Sequence, residues 1–252
     1  MSLSYQHCYH AGNFADIHKH LWLIATLRDL HKNHQSIFWI DTHAGRGLYD
    51  LNAPESLKTQ EASFGILKGF ETSLSWFDSH IHQTYKNIIH AFNPQGGVSH
   101  YPGSPLIAAH LLRKNDRIAC CELHPQEFIH LRRVLGTYPN VAIRHKDITK
   151  ELLHLMPPPG TAGGMLVDPS YEIKAEYDTI PLLLIRAHHK WPQGVFILWY
   201  PILSAGRHNR IIDIISGQLP PHYYTIDECQ APYIPGGRML GSGIIRIEKR
   251  PI

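Results

Sequence analysis

The sequence contains no apolar run that approaches the ~18 residues of a membrane-spanning helix, so we expect no membrane partner. Residues 1–7 have neither a basic segment nor an apolar core, and we therefore expect no signal peptide. The four cysteines form no C-x-x-C pair, and two of them are adjacent in a predicted strand. Reduced core cysteines of this kind are typical of a cytoplasmic protein.

Strong charge and compact metal-binding motifs are also missing. The formal net charge of +3 permits a nucleic-acid partner but does not demonstrate one. Twenty histidines are unusual, yet they form no His-x-Glu or His-Glu-x-x-His motif. We therefore predict no metal site. A metal-dependent hydrolase built on the histidines is the least favoured interpretation.

The most informative stretch that is present covers residues 163–172, Gly-Gly-Met-Leu-Val-Asp-Pro-Ser-Tyr-Glu. Its apolar run predicts a strand buried on both faces. Asp168 then stands at the carboxyl end of that strand, where open α/β sheets bind ligands, and Pro169 ends the strand. The Asp168 carboxylate, the Pro169 carbonyl and the Tyr171 ring together suit a planar base with an exocyclic amino group. The alternative is a turn acid that caps the next helix.

Four predicted strands end at or next to an acidic residue: Asp41, Glu122, Asp147 and Asp168. The first strand, 36–41, is followed by Thr-His-Ala-Gly-Arg-Gly, whose glycines permit a tight turn close to a ligand. An acid at the end of the second strand is suited to accept hydrogen bonds from ribose hydroxyls. By itself the glycine turn is also compatible with an ordinary strand-to-helix loop. Taken together, the four acids predict a nucleoside ligand.

The remaining patterns complete an α/β fold, with Asn13 as the predicted N-cap of a first helix. Further strands are predicted at 117–122, 141–147 and 194–201, followed by an antiparallel pair at 223–226 and 243–247. We predict one domain, 1–252, with a helical insertion at about 50–100. Its two predicted helices lie on Phe64, Leu67 and Leu74, and on Ile81, Tyr85, Ile88 and Phe92.

These features resemble the class I S-adenosylmethionine-dependent methyltransferases of exocyclic amines, whose fourth motif is commonly Asp/Asn-Pro-Pro-Tyr/Phe. More closely, the chain is similar to the 23S ribosomal RNA adenine-N6 methyltransferases of the RlmJ type. The matching segments are Tyr5 with His-Ala-Gly-Asn at 10–13, Ala-Asp at 15–16 with Lys-His at 19–20, Asp-Thr-His-Ala-Gly at 41–45, Tyr-Pro-Gly-Ser-Pro at 101–105, Glu-Leu-His-Pro at 122–125, Asp-Pro-x-Tyr at 168–171, and Leu-Trp-Tyr-Pro at 198–201.

The resemblance implies a Rossmann-like fold, with a seven-stranded, mostly parallel sheet, an antiparallel last strand and a small helical insertion. It implies catalytic roles for Asp168, Pro169 and Tyr171, and a position for Tyr5 near the substrate adenine. The implied contacts to S-adenosylmethionine, with Gly45 added from the glycine turn, are Lys19, His20, His43, Gly45, Ser104, Glu122, Asp147, Ile148 and Asp168.

The implied activity is methyl transfer to the N6 amine of an adenine in 23S ribosomal RNA by a monomeric, cytoplasmic enzyme. RNA contacts are expected around the N-terminal segment, the insertion and Arg238. Two alternatives stay open: a DNA adenine-N6 methyltransferase, and a non-catalytic RNA-binding protein that keeps the fold. Ser170 in place of the usual second proline, and a short segment after the last strand, are the features that favour the non-catalytic alternative.

Overall fold

The computed structural model describes residues 5–68, 77–158, 160–232 and 238–249. Within these ranges helices and strands alternate along the chain, as in an α/β fold. The helices are α1 (Phe14–Asn33), α2 (Pro54–Thr59), α3 (Ser79–Ala91), α4 (Ser104–Leu111), α5 (Pro125–Leu135), α6 (Ile148–Leu155), α7 (Glu176–Lys190) and α8 (His208–Gln218). The strands are β1 (Phe38–Asp41), β2 (Leu48–Asp50), β3 (His100–Pro102), β4 (Arg117–Glu122), β5 (Val141–His145), β6 (Gly163–Val167), β7 (Val195–Leu203), β8 (Tyr224–Gln230) and β9 (Met239–Ile247).

Seven of these strands form one sheet in the order β5-β4-β1-β6-β7-β9-β8. The strands from β5 to β7 in that order run parallel, and β9 is antiparallel to both of its neighbours. The predicted seven-stranded sheet with an antiparallel last strand is therefore confirmed. The strand order reverses between β1 and β6, and open α/β sheets bind ligands outside the carboxyl ends of strands at such a point.

Helices cover both faces of the sheet. Trp39 and Leu166 belong to a core shared with α1, α3 and α4, whereas Ile40 and Met165 belong to a core shared with α6, α7 and α8. This alternation follows from the two-residue period of a strand. β6 is buried at every position, as predicted for a strand covered on both sides. None of the helices within the described ranges is both long and apolar enough to cross a membrane.

Helix α1 brings the N-terminal part of the chain to the carboxyl edge of the sheet. The Asn13 side chain accepts a hydrogen bond of 2.9 Å from the Asp16 amide, so the predicted N-cap is confirmed. Four apolar residues recur at helical spacing along α1 and are all buried: Ile17, Leu21, Ile24 and Leu27. Lys19 and His20 of the same helix lie at this ligand-binding edge of the sheet.

The segment between β1 and β4 was only partly predicted. α3 confirms the second helix, but Phe64 and Leu67 lie in two separate 3-10 turns, so the first predicted helix is wrong there. Leu74 lies outside the described residues. The physical reason is Gly65, where an added Cβ would lie 2.1 Å from the Gly12 carbonyl oxygen. The chain breaks its helical path there so that its backbone can pack against the N-terminal segment.

Candidate active site

Two adjoining cavities lie at the carboxyl edge of β1, β4 and β6. The inner cavity has a volume of about 90 Å³ and the outer one about 420 Å³. The inner cavity is lined by residues that include His20, His43, Gly45, Ser104, Glu122 and Pro169. The outer cavity is lined by residues that include His10, Tyr171, Tyr177, Trp199 and Arg238. Both cavities share Tyr5, His7, Asp16, Lys19, Asp168 and Ser170.

The glycine turn after β1 is fastened to the end of β4 by Glu122. One carboxylate oxygen of Glu122 accepts the Gly45 amide at 2.7 Å, and the other accepts the His124 amide at 2.6 Å. Burial raises the pKa of Glu122, while these amides act in the opposite direction. Gly45 has a φ of +59°, and an added Cβ would lie 2.2 Å from the Tyr49 hydroxyl. Only glycine fits this turn without displacing Tyr49.

The hydrogen bonds of Thr42 fix the tautomer of His43. The Thr42 hydroxyl donates to the Leu166 carbonyl at 3.0 Å, so at 2.6 Å it must accept from Nδ1 of His43. Nε2 of His43 is then an acceptor, and this buried atom has no hydrogen-bond partner among the described residues. Burial lowers the pKa of His43 to about 3, so the ring stays neutral. The inner cavity therefore offers a buried acceptor to a ligand that carries N–H or O–H groups.

His20, which lines the inner cavity, and Asp41, which lies behind its wall, are also buried, and burial disfavours the charged form of each. His20 stacks on Tyr101 with ring centroids 5.6 Å apart, and burial lowers the pKa of His20 to about 3. Asp41, at the end of β1, is 0% exposed, and burial raises the pKa of Asp41 to about 7. The Ser104 hydroxyl opposes this rise. The first of the four strand-terminal acids is thus a buried group behind the cavity wall.

A chain of polar contacts leads from the N-terminal segment to Asp168. Nζ of Lys19 lies 2.9 Å from Oδ1 of Asp16 and donates a hydrogen bond to Oδ2 of Asp168. The other oxygen of Asp16 accepts hydrogen bonds of 2.9 Å from Nε2 of His7 and from the Gly12 amide. Burial acts to lower the pKa of Lys19, but the carboxylates of Asp16 and Asp168 outweigh it and raise this pKa. Lys19 therefore stays protonated at neutral pH.

The same charges keep the carboxylate of Asp16 ionised. Burial acts to raise the pKa of Asp16, but His7 and Lys19 outweigh it and hold this pKa well below its ordinary value. The Tyr5 hydroxyl reaches Nδ1 of His7 at 2.9 Å and so extends the chain to the predicted substrate side. Asp16 and His7 were not predicted as site residues. The signal for Asp16 was its spacing from Lys19, with which it shares one face of a helix at i and i+3, whereas no spacing marked His7.

The segment after Asp168 is strained and tightly packed. Tyr171 has a φ of +54°, which is an outlier for a bulky residue and is a feature that clusters at functional sites. Its hydroxyl donates to the Trp199 carbonyl at 2.9 Å, and its ring centroid lies 4.6 Å from that of Tyr177. Only 7% of Tyr171 is exposed. Its predicted stacking role therefore stays a prediction, and Trp199 is an additional aromatic side chain on the same cavity.

The insertion contributes Glu61 to the outer cavity. Its two carboxylate oxygens lie 2.8 Å from Nδ1 of His10 and 2.9 Å from Nδ2 of Asn13. The Ile66 amide also donates to the Gly12 carbonyl at 2.8 Å. The insertion thereby fixes the loop that precedes α1.

Two predicted cofactor contacts line neither cavity. Asp147 accepts hydrogen bonds from the amide and the hydroxyl of Thr149 and caps α6, and Ile148 is buried at the first position of that helix. Their predicted roles stay predictions. Among the described residues, no group of three or more His, Cys, Asp or Glu is arranged to hold a metal ion.

Residues 34–251 match the family model described as "RsmJ: Ribosomal RNA large subunit methyltransferase D, RlmJ". The chain belongs to the RlmJ family. Two curated RlmJ relatives carry the name "Ribosomal RNA large subunit methyltransferase J". The Haemophilus influenzae protein is 34% identical over 213 residues, covering 83% of this chain and 74% of that protein. The Escherichia coli protein is 32% identical over 210 residues, with the same two coverages of 83% and 74%.

Solved structures agree with this family and with the fold. Protein LPL1258 from Legionella pneumophila has a TM-score of 0.83 and 33% identity, covering 96% of this chain and 88% of that one. An rRNA methylase from Streptococcus thermophilus has a TM-score of 0.50 at 10% identity, covering 93% and 97%, and shares the fold alone. Membership of the RlmJ family confirms the predicted class, an S-adenosylmethionine-dependent methyltransferase.

Proposed function

We propose that this RlmJ-family protein transfers the methyl group of S-adenosylmethionine to the N6 amine of an adenine in 23S ribosomal RNA. The observation that carries the proposal is that two hydrogen-bond acceptors on the inner cavity, from Asp168 and Pro169, are unused. Oδ1 of Asp168 and the Pro169 carbonyl oxygen accept no hydrogen bond from any described residue. Two accepting oxygens match the two N–H hydrogens of an exocyclic amine. The two curated relatives, named as large-subunit ribosomal RNA methyltransferases, support the RNA substrate.

The residues that line the inner cavity suit S-adenosylmethionine by their chemistry. Gly45 brings the backbone of the turn against the cavity without a side chain, and Nε2 of His43 supplies an unused buried acceptor. Glu122 stands at the end of β4, where an acid can accept hydrogen bonds from ribose hydroxyls. When bound, the cofactor supplies a methyl group that its sulfonium centre has already activated. We assign its binding to these residues together with Lys19, His20 and Ser104.

Asp168 and Pro169 prepare the amine for reaction. The lone pair of an adenine N6 is delocalised into the ring, so the amine is a weak nucleophile. Hydrogen bonds from its two N–H groups to Asp168 and Pro169 favour a tetrahedral nitrogen with a localised lone pair. Holding the amine in line with the methyl group can contribute up to ~7–11 kcal/mol through positioning. As the N6 nitrogen forms its bond to the methyl carbon, the carbon–sulfur bond of the sulfonium would break and leave a neutral thioether, and Oδ1 of Asp168 or water would accept one proton from the nitrogen.

The outer cavity is the proposed site for the extruded base. Its volume of about 420 Å³ and its aromatic lining by Tyr171 and Trp199 suit a flat ring. Stacking on aromatic side chains is worth ~1–3 kcal/mol per base, which offsets the few kcal/mol of unstacking. Arg238 is exposed at this cavity, where RNA phosphates would approach. We further propose that the enzyme acts as a monomer in the cytoplasm and that RNA binding weakens with salt.

The test uses methyl-labelled S-adenosylmethionine with three substrates: 23S ribosomal RNA from cells that lack this gene, fully modified 23S RNA, and duplex DNA. We expect label in the unmodified RNA alone, and nucleoside mass spectrometry should identify it as N6-methyladenosine. Label in DNA would favour the DNA methyltransferase alternative, and no label in any substrate would favour a non-catalytic binding protein.

Asp168→Ala provides the residue-level test. It should lower kcat by at least about a hundredfold, while the chain stays folded and binds RNA. The matched control is Asp213→Ala, which removes an exposed carboxylate on α8 that lines neither cavity. Full activity of Asp168→Ala would refute the proposed mechanism.

A further inference from the structure

A buried polar chain that the proposed reaction does not use lies between α1 and the antiparallel end of the sheet. His18 and Ser242 are 0% exposed and Asp227 is 6% exposed. Nδ1 of His18 lies 2.9 Å from the Ser242 hydroxyl, and Nε2 of His18 lies 3.0 Å from Oδ2 of Asp227. Burying three polar side chains is costly unless each is hydrogen-bonded. The hydrogen bonds among these residues must therefore have donor-to-acceptor directions that pair every donor with an acceptor.

Those directions can be derived from the tryptophans at the two ends of the polar chain. The indole N–H of Trp199 can only donate, and it reaches the Ser242 hydroxyl at 2.9 Å. The carboxylate of Asp227 can only accept, and it receives Nε2–H of His18 and, at 2.6 Å, the indole N–H of Trp22. Among the described residues, Nδ1 of His18 is the only acceptor within hydrogen-bond distance of the Ser242 hydroxyl, so the hydroxyl donates to it. Every bond in the chain points from Trp199 toward Asp227.

The order Ser-His-Asp is also that of hydrolytic triads, but the surroundings argue against a nucleophile here. Ser242 lies inside β9 and lines neither the inner nor the outer cavity. Ser242 is also fully buried under the Trp199 indole that donates to its oxygen, so no substrate can approach it. Because substrate cannot reach Ser242, the Ser-His-Asp arrangement holds a side chain in place and does not act as a nucleophilic triad.

Trp199 is the member of this chain that reaches the active site. Its half-buried ring lines the outer cavity, and Nζ of Lys19 lies 5.7 Å from its centroid. Its ring centroid is 6.1 Å from that of Tyr171, whose hydroxyl also donates to the Trp199 carbonyl. The orientation of an indole about its last torsion is poorly fixed by rotamer preference alone. The hydrogen bond to Ser242 selects one orientation.

We propose that Ser242, His18 and Asp227 are positioning residues that hold the Trp199 indole as a wall of the outer cavity and so set the affinity for the substrate base. The inference rests on the proposed use of this cavity for the extruded adenine. These hydrogen bonds also link the Trp199 wall to Lys19, because Lys19 directly follows His18 on α1. The expected signature is a change in KM for RNA without a change in cofactor affinity.

The experiment is a double-mutant cycle with Ser242→Ala and Trp199→Phe. Ser242→Ala should raise KM for unmodified 23S RNA about fivefold, as expected for one lost hydrogen bond. It should leave kcat and the Kd for S-adenosylmethionine within about twofold of their values in the protein without substitutions. In the Trp199→Phe background, Ser242→Ala should have no further effect on KM, because the donor is already gone. An equal rise in both backgrounds would overturn the proposal.

A matched control and a second variant complete the design. Ser216→Ala removes an exposed hydroxyl on α8 and should leave KM unchanged. Ser242→Cys keeps the shape of the side chain, with a larger atom that is a weaker acceptor, so its KM should lie between those of the unmodified chain and Ser242→Ala. A KM for Ser242→Cys above that of Ser242→Ala would contradict the hydrogen-bond argument.

A readout independent of catalysis separates this inference from the proposed function. The indole N–H resonance that disappears in Trp199→Phe identifies Trp199 by NMR. In Ser242→Ala that resonance should shift and exchange faster with solvent, even if the protein methylates no RNA. An unchanged resonance would overturn the positioning role. If the protein without substitutions methylated no RNA, only the proposed methylation would be overturned.

Discussion

Lys19 donates a hydrogen bond to Oδ2 of Asp168, and Oδ1 of Asp168 is left without a hydrogen-bond partner among the described residues. The cation is held in turn by Asp16, at 2.9 Å, on the preceding turn of α1. The proposed catalytic carboxylate therefore approaches the substrate amine with one oxygen fixed and one oxygen available. This arrangement gives Lys19 a role in positioning Asp168 beyond the cofactor contact that was predicted for it.

Replacing Lys19 with methionine tests that role. Two carboxylates would then face each other without a cation, and one of them should take up a proton near neutral pH. We expect kcat to fall at pH 7 and the rising limb of the pH–rate profile to move upward by ~1–3 pH units. Profiles of kcat between pH 5 and 9 measure this shift.

The control for this substitution is Lys32→Met, which removes a half-exposed lysine of α1 that lies 3.7 Å from Asp29. Its profile should match that of the unmodified chain. If Lys19→Met weakens cofactor binding but leaves the pH limb in place, Lys19 acts only on the cofactor, and the positioning role is wrong.

Glu122→Gln tests the fastening of the glycine turn. Glutamine keeps one accepting oxygen where the carboxylate has two, so either the Gly45 or the His124 amide loses its acceptor. We expect the Kd for S-adenosylmethionine to rise about tenfold in titration calorimetry. Glu151→Gln, at a more exposed carboxylate 3.8 Å from Lys146, should leave Kd unchanged. An unaltered Kd for Glu122→Gln would remove Glu122 from the cofactor site.

Gly45→Ala and Gly96→Ala separate a clash from backbone strain. Both glycines have positive φ, +59° and +86°, so alanine is strained at either position. At Gly96 the added Cβ meets nothing within 4 Å, whereas at Gly45 it meets the Tyr49 hydroxyl. We expect both variants to lose about 1 kcal/mol of stability or more, measured by urea unfolding. Only Gly45→Ala should also weaken cofactor binding, and equal binding by both variants would contradict the proposed turn.

Much of the fold was predictable because it depends on local patterns. The buried run before Asp168 predicted β6, and Asn13 predicted the start of α1, since each element is marked by residues within a few positions. The acids at the strand ends were also assigned to the correct edge of the sheet. Parallel strands carry their carboxyl ends to one edge, so this part of the site follows from the order of elements alone.

The parts that were missed depend on contacts between distant residues. The two turns around Gly65 follow from packing on Gly12, 53 positions earlier in the chain. The Lys19–Asp168 bond spans 149 positions and the His18–Asp227 bond 209. A helical spacing places Lys19 and His18 on faces of α1 but does not reveal which carboxylate each one meets. Such pairings are set by tertiary packing and need the coordinates.

Asp41→Asn tests the buried acid behind the inner cavity through its effect on stability. Burial raises the pKa of Asp41 from 3.8 to about 7, so the folded chain holds this proton more tightly than the unfolded chain. Between about pH 4 and 7 the folded state therefore binds more protons, and the free energy of unfolding falls as the pH rises through that window. Asparagine cannot ionise, so the variant lacks this loss.

We therefore expect the stability of Asp41→Asn relative to the unmodified chain to increase by about 3–4 kcal/mol between pH 4 and 8, measured by urea unfolding without cofactor. His20 and His43, whose pKa values burial lowers to about 3, impose a slope of the opposite sign below pH 6.5. They do so in both proteins, and the difference between the two cancels their contribution. Asp213→Asn, at an exposed acid, should show no pH-dependent difference. A constant difference for Asp41→Asn across the range would mean that Asp41 is ionised in the folded protein throughout, with a cation or donor close enough to offset its burial.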